Sequence, residues 1–365
     1  MYIHQKKEWP HFDWDSLKLA PLLSVVHRSQ GALFAKMETL ASDVQQESFF
    51  NTLVLDVLKT SEIEGEYLNV DQVRSSIARK LGVKIPNFVD SERDVDGVVE
   101  MLLDATQKSQ LKLTSKRLFF WHQLLFPQRQ NGLFDIVVGQ WRDDRNGPMQ
   151  VISGLYGQQK IHFEAPPAQS IPAMMSDFLE WINSSQQIDP IVFAGIAHFW
   201  FVTIHPFDDG NGRIARAITD MLLARADGCE NRFYSLSAQI RIERNEYYKV
   251  LEHSQKADLD VTLWLEWFIG CVKNSLEVAH EIIDKILKKY RFWNQVAHLV
   301  LNARQRQILE LLLDDFTGNL TTGKWAKIAK CSEDSALRDI QFLVQNGILS
   351  KENAGGRSTH YCLKY

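Results

Sequence analysis

Apolar residues recur at helical spacing on both sides of a polar loop near the middle of the chain. Asp189 and Pro190 are residue types that cap and begin a helix, and a largely apolar run follows them. After the loop, a second run at helical spacing ends at Gly228, a residue type that commonly closes a helix. The apolar positions are Phe193, Ile196, Ala197, Trp200 and Phe201, and then Ile214, Ala217, Ile218, Met221 and Leu222. The pattern predicts two buried helices joined by a short loop.

The rest of the first 290 residues or so adds further helices and one β-hairpin to this prediction. An apolar face at helical spacing indicates a helix that begins near Gln46. Two short extended runs, 149–152 and 160–163, flank a turn that contains Gly154 and Gly157, which is typical of a β-hairpin. The predicted fold class is mainly α, with a hairpin at about 148–164.

The C-terminal residues predict a separate small domain. Helices are indicated at 305–313, from Thr321 or Thr322 to 329, and after Ser332, followed by extended runs at 348–351 and 360–363. The loop between the extended runs contains Ala354, Gly355, Gly356 and Arg357. This order resembles a winged helix-turn-helix, a motif that places its third helix in the major groove of DNA. That helix carries Glu333, Asp334 and Asp339 against Arg338, so a protein-docking or dimerising domain stays open beside a DNA-binding one.

Composition fits a multidomain globular protein without a bulk electrostatic partner. The chain has 365 residues, 45% of them hydrophobic, and a net charge of −4. We predict an N-terminal helical domain at 1–88, a central domain at 89–290 and a C-terminal domain at 300–365. The four cysteines lack paired spacing, and neither an apolar leader nor a membrane-length apolar run is visible, so we expect a cytoplasmic protein that contacts no membrane.

The loop between the two central helices, 205–216, reads HPFDDGNGRIAR and concentrates unusual chemistry. Gly210 and Gly212 allow backbone N–H groups to converge on an anion where a helix begins. The loop also holds an imidazole that can exchange a proton near neutral pH, and Asp209, a carboxylate that suits Mg²⁺ beside a phosphate. Its two arginines are three residues apart and suit a polyphosphate. The loop therefore predicts a phosphate site.

The same residues resemble the HPFx[DE]GNGRxxR signature of the Fic family and match it at every defined position. The resemblance implies an all-helical core that transfers AMP from Mg·ATP to a Ser, Thr or Tyr hydroxyl of a target protein. It also implies His205 as the general base and Asp209 as the ligand of Mg²⁺, with Mn²⁺ as the alternative ion. The related Doc toxins, which phosphorylate, carry Lys in place of Gly212, so nucleotidyl transfer is favoured.

The nucleotide-binding residues that the resemblance implies fall into two groups. The signature group consists of Gly210, Asn211 and Gly212 in an anion hole, Arg213 and Arg216 on the phosphates, and Ile214 and Ala215 between them. The second group, Tyr248, Leu251 and Gln255, shares one helical face where the family builds its adenine and ribose pocket.

A second motif closes the helix that begins near Gln46. The last turn of that helix carries three carboxylates at the negative end of its dipole, and such a local conflict often marks function. Thr60, Glu64 and Gly65 match the [ST]xxxE[GN] inhibitory motif of Fic proteins. That resemblance implies that Glu64 pairs with Arg216 and fills the space needed by the terminal phosphate of ATP, so that the enzyme rests in a self-inhibited state.

The resemblance also sets expectations for partners, and it leaves two other functions open. The hairpin looks like the Fic flap, whose edge would receive a loop of an unidentified target protein by strand addition, and a homo-oligomer is an open alternative. A de-AMPylase would use Glu64 to position the water that removes AMP from the target. A DNA-binding regulator with a vestigial nucleotide site would bind DNA through the C-terminal domain.

Overall fold

Contacts between Cα atoms divide the chain into two units, Met1–Glu281 and Ile282–Tyr365. The computed structural model describes residues 1–127, 136–145, 147–154, 160–184, 187–229, 231–313, 316, 318–352 and 359–364. The signature loop, the hairpin at about 148–164 and Glu64 all belong to the first unit.

The first unit is mostly helical, as the sequence predicts. Its helices are α1 (Ser16–Glu38), α2 (Ser42–Ile63), α3 (Val70–Leu81), α4 (Arg93–Gln107), α5 (Ser115–Leu125), α6 (Ile171–Asn183), α7 (Pro190–Ile204), α8 (Asn211–Asp227), α9 (Leu236–Ile242), α10 (Arg244–Lys256) and the first part of α11 (Thr262–Val296). Short 3-10 turns lie at Ile3–Gln5 and Ala168–Ser170. Within the described ranges, none of the helices combines the length and the apolar character needed to cross a membrane.

The two central helices of the prediction are α7 and α8, and both are confirmed. The Asp189 side chain caps α7 by accepting hydrogen bonds from the N–H groups of Ile191 and Val192. Gly228 ends α8 in the left-handed conformation. Almost every side chain of α7 is buried, because α8 and α6 pack on it and the aromatic side chains of the unit surround it. A helix that is apolar all round belongs in the core, so the position of its C-terminal end is fixed.

Helix α2 begins at Ser42, four residues before the start that the apolar pattern indicated near Gln46. Its first turn is polar, and the residue before it, Ala41, makes no side-chain cap, so neither periodicity nor a capping residue marks the start. The helix packs against α3, α4, α8 and α9 and ends at Ile63, with Glu64 as its C-cap. The motif that closes α2 therefore sits at the end of a buried helix.

The hairpin of the first unit is present. Strand β1 (Gln150–Ser153) pairs antiparallel with β2 (Lys160–Glu164), and the register shifts between Val151 and Ile152. Gly154, the first turn residue, adopts a positive φ of 102°, which glycine tolerates without strain. Gly157, the other predicted turn residue, lies outside the described residues.

The second unit holds the end of α11, three shorter helices and a second hairpin. These elements are α12 (Ala303–Leu313), α13 (Thr322–Ile328), α14 (Glu333–Gln345), β3 (Leu349–Glu352) and β4 (His360–Leu363). Thr321 and Ser332 cap α13 and α14, and Trp325 is fully buried in the core of the unit. The predicted order of elements is present, whereas the loop Ala354, Gly355, Gly356 and Arg357 lies outside the described residues. Its identity as a winged helix-turn-helix stays a prediction.

One acidic residue of α14 has a different place from the one its sequence position suggests. The Asp339 carboxylate is buried and accepts hydrogen bonds from Asn302 Nδ2 at 2.7 Å and Arg304 Nε at 2.8 Å. Asp339 therefore does not add negative charge to the exposed surface of α14, where Glu333 and Asp334 remain.

Candidate active site

His205 follows α7 directly and turns the chain out of the helix. Its φ of 53° is left-handed, a conformation that few residues other than glycine adopt. The N–H of His205 still donates to the Phe201 carbonyl at 3.0 Å, so the residue closes the helix while its side chain lines a cavity. A strained backbone at a cavity wall is typical of functional positions.

The His205 imidazole is held as a neutral base. Nδ1 lies 3.2 Å from the Val202 carbonyl, which can only accept a hydrogen bond, so Nδ1 carries the proton and Nε2 carries the lone pair. Burial lowers the pKa of His205 to about 4. At neutral pH the ring can therefore accept a proton through Nε2.

Arg142 fixes the backbone of the His205–Pro206 turn. Its Nε donates to the His205 carbonyl at 2.8 Å, and its own N–H donates to the Pro206 carbonyl at 2.9 Å. The guanidinium is buried, also donates to the Pro166 carbonyl and pairs with Asp144 at 2.6 Å. Arg142 is a positioning residue that the sequence did not identify, because the run that contains it indicated only the approach to the hairpin.

His122 packs against the signature loop and bonds to its backbone. Its Nδ1 accepts the Gly139 N–H at 3.0 Å, so its Nε2 is the donor to the Asp209 carbonyl at 3.2 Å. The ring stacks on Phe207 at 4.2 Å between centroids, and burial lowers the pKa of His122 to about 4. His122 thus joins α5, the segment before the hairpin and the loop through one neutral side chain.

The turn after Asp209 leads into α8 through Gly210, which caps the helix at a φ of 79°. The Asn211 side chain folds back on the loop: Nδ2 donates to the Phe207 carbonyl at 2.7 Å, and Oδ1 accepts the Phe207 N–H at 3.0 Å. The amide side chain therefore closes the loop, and any contact of Asn211 with an anion falls to its backbone. The first hydrogen bond of α8 runs from the Ile214 N–H to the Gly210 carbonyl, so the three N–H groups before Ile214 have no acceptor within the helix.

Glu64 reaches the second arginine of the signature. Arg216 Nη2 donates to Glu64 Oε1 at 2.7 Å and to the Thr60 carbonyl at 2.9 Å, and Nε donates to Thr60 Oγ1 at 2.7 Å. Arg216 and Thr60 are buried. A methyl group on Gly212 would collide with Glu64 Oε1, so the carboxylate rests directly over the start of α8. The structure thus brings Thr60 and Glu64 next to Gly212 and Arg216, two pairs that are far apart in the sequence.

The other two carboxylates at the end of α2 also have cationic partners. Glu66 pairs with Arg213 at 2.6 Å, and the Arg213 guanidinium also lies over the Phe126 ring. Glu62 pairs with Lys59 at 2.7 Å and with Arg241 at 3.4 Å. Three cations from other turns and helices therefore compensate the unfavourable position of these carboxylates at the negative end of the α2 dipole.

A cavity of about 560 Å³ joins most of the predicted residues. Its wall combines Glu64 and the signature loop with β1, β2 and a buried to half-buried side of α10. The predicted residues that line it are Glu64, His205, Asp209, Gly210, Asn211, Gly212, Tyr248, Leu251 and Gln255. Ile214 and Ala215 are fully buried and do not line the cavity, and neither do Arg213 and Arg216, which pair with Glu66 and Glu64. Asp208, Arg244 and His162 also line it, and their spacing gave no separate signal.

Two observations test whether an anion and a divalent cation would fit here. Arg216 Nη1 is buried, lies 3.1 Å from the Cβ position of Gly212 and has no hydrogen-bond partner in the described ranges, so a donor is available beside the helix start. Asp209 lines the same cavity, and one carboxylate together with phosphate oxygens is a donor set that Mg²⁺ prefers. The residues fit a phosphate ester and a Mg²⁺ ion.

Two family models match separate parts of the chain. Residues 2–83 match a domain of unknown function, DUF4172, and residues 112–223 match the Fic/DOC family. The second match contains the signature loop, α7 and nearly all of α8.

Similar proteins carry Fic names. A protein adenylyltransferase Fic from Drosophila yakuba is 27% identical over 263 residues, which is 70% of this chain and 45% of that protein. The chain therefore spans less than half the length of this relative. A Fic family protein from Desulfovibrio desulfuricans G20 has a similar structure, with a TM-score of 0.56 and 20% identity over 97% of this chain and 98% of that one.

A second solved structure, a Fic domain containing signaling protein from Bacteroides thetaiotaomicron, gives a TM-score of 0.51 and 18% identity, and it covers 70% of this chain and 97% of that one. These identities support a shared fold. The TM-scores show that this chain has the mainly helical fold of these Fic proteins, and its residues 112–223 match the Fic/DOC family.

Proposed function

We propose that the protein is a protein adenylyltransferase that transfers AMP from Mg·ATP to a Ser, Thr or Tyr hydroxyl of a target protein, and that Glu64 holds it in a self-inhibited state. The observation that carries this proposal is the contact of Glu64 with Arg216 above Gly212, at the start of α8 and on the wall of the cavity. A carboxylate of the same chain occupies this anion site and competes with a phosphate for one guanidinium. Such a contact is expected of a nucleotide-binding enzyme that is inhibited by its own chain.

In the proposed reaction, the target hydroxyl oxygen attacks the α-phosphorus of ATP, and pyrophosphate leaves. His205 Nε2 takes the hydroxyl proton, because the ring is neutral and its other nitrogen is already a donor. The N–H groups at the start of α8 and the two arginines bind the phosphates. Asp209 would hold Mg²⁺ or Mn²⁺, which neutralises phosphate charge when it is bound.

Substitution of Glu64 provides the direct test. We expect Glu64→Gly to label itself or lysate proteins with α-labelled ATP about tenfold more strongly, or more. A change of that size corresponds to the usual coupling free energy between two sites. The gain should vanish in the Glu64→Gly/His205→Ala double variant, because the general base is then missing.

Glu62→Gly is the matched control. It places the same residue in the same helical turn and removes a carboxylate that pairs with Lys59 and Arg241 rather than with Arg216. We expect its labelling to stay at the wild-type level. Equal labelling by the two glycine variants would contradict inhibition by Glu64, and no labelling by Glu64→Gly with either metal ion would contradict the transferase itself.

A second candidate activity, removal of AMP from a modified target, uses the same site. Glu64 and His205 line one cavity, so the carboxylate can orient a water toward a phosphate ester bound there. The two activities respond in opposite ways to Glu64→Gly: transfer should rise, and release of AMP from a labelled target should stop. Release that continues in the variant would remove the hydrolytic candidate.

A further inference from the structure

The second hairpin carries a cluster of three different metal-binding side chains. Glu352 is the last residue of β3, and His360 and Cys362 belong to β4. One ligand atom from each residue lies within 4.8 Å of the others. The cluster belongs to the second unit, and none of its residues has a role in the proposed transferase reaction.

Strand register explains why the three side chains meet. Glu352 is the cross-strand partner of His360, and Cys362 follows His360 by two residues along β4. Residues two apart on a strand share a face, and directly paired residues on neighbouring strands share it as well. The three side chains therefore project from one face of the hairpin, and two of them stand on the same strand.

The geometry is close to that of a bound ion. His360 Nε2 lies 3.1 Å from Glu352 Oε2. An imidazole nitrogen and a carboxylate oxygen, each at about 2.0–2.2 Å from one tetrahedral Zn²⁺, stand roughly 3.4 Å apart. The Cys362 sulfur completes the group and lies no more than 4.8 Å from the other two ligand atoms.

The surroundings of the three side chains favour a bound cation. His360 Nε2 donates to the Glu352 carboxylate, so that nitrogen carries the proton, and Nδ1 is buried with a lone pair that meets no hydrogen-bond donor in the part of the chain that the structure describes. The Cys362 side chain is half-buried beside these two groups, and a divalent ion would bind its thiolate in place of the thiol proton. More than half of the Glu352 side chain is exposed, which leaves the ion a route from solvent.

We propose that Glu352, His360 and Cys362 form a binding site for a divalent transition metal, with Zn²⁺ as the preferred ion and water as the fourth ligand. A thiolate, an imidazole and a carboxylate together select zinc over Mg²⁺ or Ca²⁺, which favour oxygen ligands alone. The ion would bind β3 to β4 and hold the hairpin closed.

Cobalt provides a spectroscopic test on the full-length, tag-free protein. One equivalent of Co²⁺ should produce a thiolate-to-cobalt charge-transfer band in the near ultraviolet, and Zn²⁺ should displace it. Cys362→Ser should abolish the band, whereas the matched control Cys331→Ser, another half-buried cysteine of the same unit, should keep it. In competition with a colorimetric chelator, Glu352→Gln and His360→Gln should weaken Zn²⁺ binding by about tenfold or more.

Circular dichroism of each variant separates loss of the site from loss of the fold. Glu352→Gln changes an exposed side chain and keeps its size, so this variant tests the site even if Cys362→Ser does not fold. The proposal is overturned if wild-type protein shows no thiolate band, or if the band survives in Cys362→Ser. Unchanged Zn²⁺ affinity in both Glu352→Gln and His360→Gln would overturn it as well.

Discussion

At the scale of single residues, Gly212 shows most clearly how the site is built. A Cβ atom at this position would collide with Glu64 Oε1, so a side chain fits there only if the Glu64 carboxylate moves away. Glycine there allows the approach of an acidic group, and in the proposed reaction it would also allow the approach of a phosphate. The residue type alone cannot distinguish these two reasons, but the structure shows the first of them directly.

The contact between Gly212 and Glu64 can be measured without any assay of activity. We expect Gly212→Ala to reduce the free energy of unfolding by about 1–3 kcal/mol, the usual cost of an added methyl group in a packed site. In a Glu64→Gly background the same change should cost much less, because the colliding carboxylate is gone. Urea unfolding of the wild type, the two single variants and the double variant gives the coupling free energy between positions 64 and 212. Equal costs of Gly212→Ala with and without Glu64 would mean that Glu64 lies elsewhere in solution.

At the scale of elements, buried carboxyl groups attach α2 to its neighbours. Asp56 lies on α2 and accepts a hydrogen bond from Ser235 Oγ at the cap of α9. Next to it, Asp220 on α8 pairs with Arg232. Burial, and then the nearby charge of Asp220, raise the pKa of Asp56 to about 8, so the folded protein keeps this carboxyl group protonated at neutral pH.

This raised pKa predicts a pH dependence of stability that belongs to α2. Between about pH 4 and pH 8 the folded chain binds a proton at Asp56 that the unfolded chain has released, so the contribution of Asp56 to stability falls as the pH rises. Asp56→Asn should flatten this decline and be more stable than wild type at pH 9. Thermal unfolding from pH 6 to pH 9 measures the difference, with the exposed Asp43→Asn on the same helix as the control. A parallel decline in both variants would contradict the assignment.

The sequence predicts the elements better than it predicts their contacts. Apolar periodicity and end signals such as Asp189, Gly228 and Ser332 are local, so they gave α7, the end of α8 and α14. The pair of Glu64 with Arg216 was predictable only through a family resemblance. Arg142 and His122 were missed because the carbonyls of the signature loop that they bond are more than sixty residues away, and no local pattern records which backbone carbonyl a buried side chain will meet.

At the scale of the whole molecule, the first unit encloses several neutral histidines. His198 is fully buried between Thr219 and the Tyr247 hydroxyl, and burial lowers its pKa from 6.5 to about 3. Burial also lowers the pKa values of His4, His122 and His205 to about 4. The unfolded chain protonates these rings at a higher pH than the folded one does.

Acid should therefore destabilise the first unit before most carboxylates titrate. The unfolded chain gains protons below about pH 6.5 that the folded chain cannot bind, so the free energy of unfolding falls with the pH in this range. For His198 the loss between pH 7 and pH 5 is about 2 kcal/mol. His198→Gln should lower stability at pH 7 and lose less of it on acidification, whereas the exposed His253→Gln should follow wild type. Urea unfolding at pH 7 and pH 5 measures the loss of stability in the wild type and in both variants. Identical losses in all three proteins would exclude His198 as a source of the acid sensitivity.

The hold of Arg142 on the His205–Pro206 turn has a mechanical consequence. The same guanidinium bonds to the Pro166 carbonyl just after β2, so the end of the hairpin and the imidazole are tied to one rigid anchor. In the proposed reaction, a target peptide that displaced the hairpin would also displace His205, the proposed proton acceptor. A substrate that bound in the wrong position would then lower kcat rather than weaken binding. The enzyme would therefore select among substrates at the chemical step.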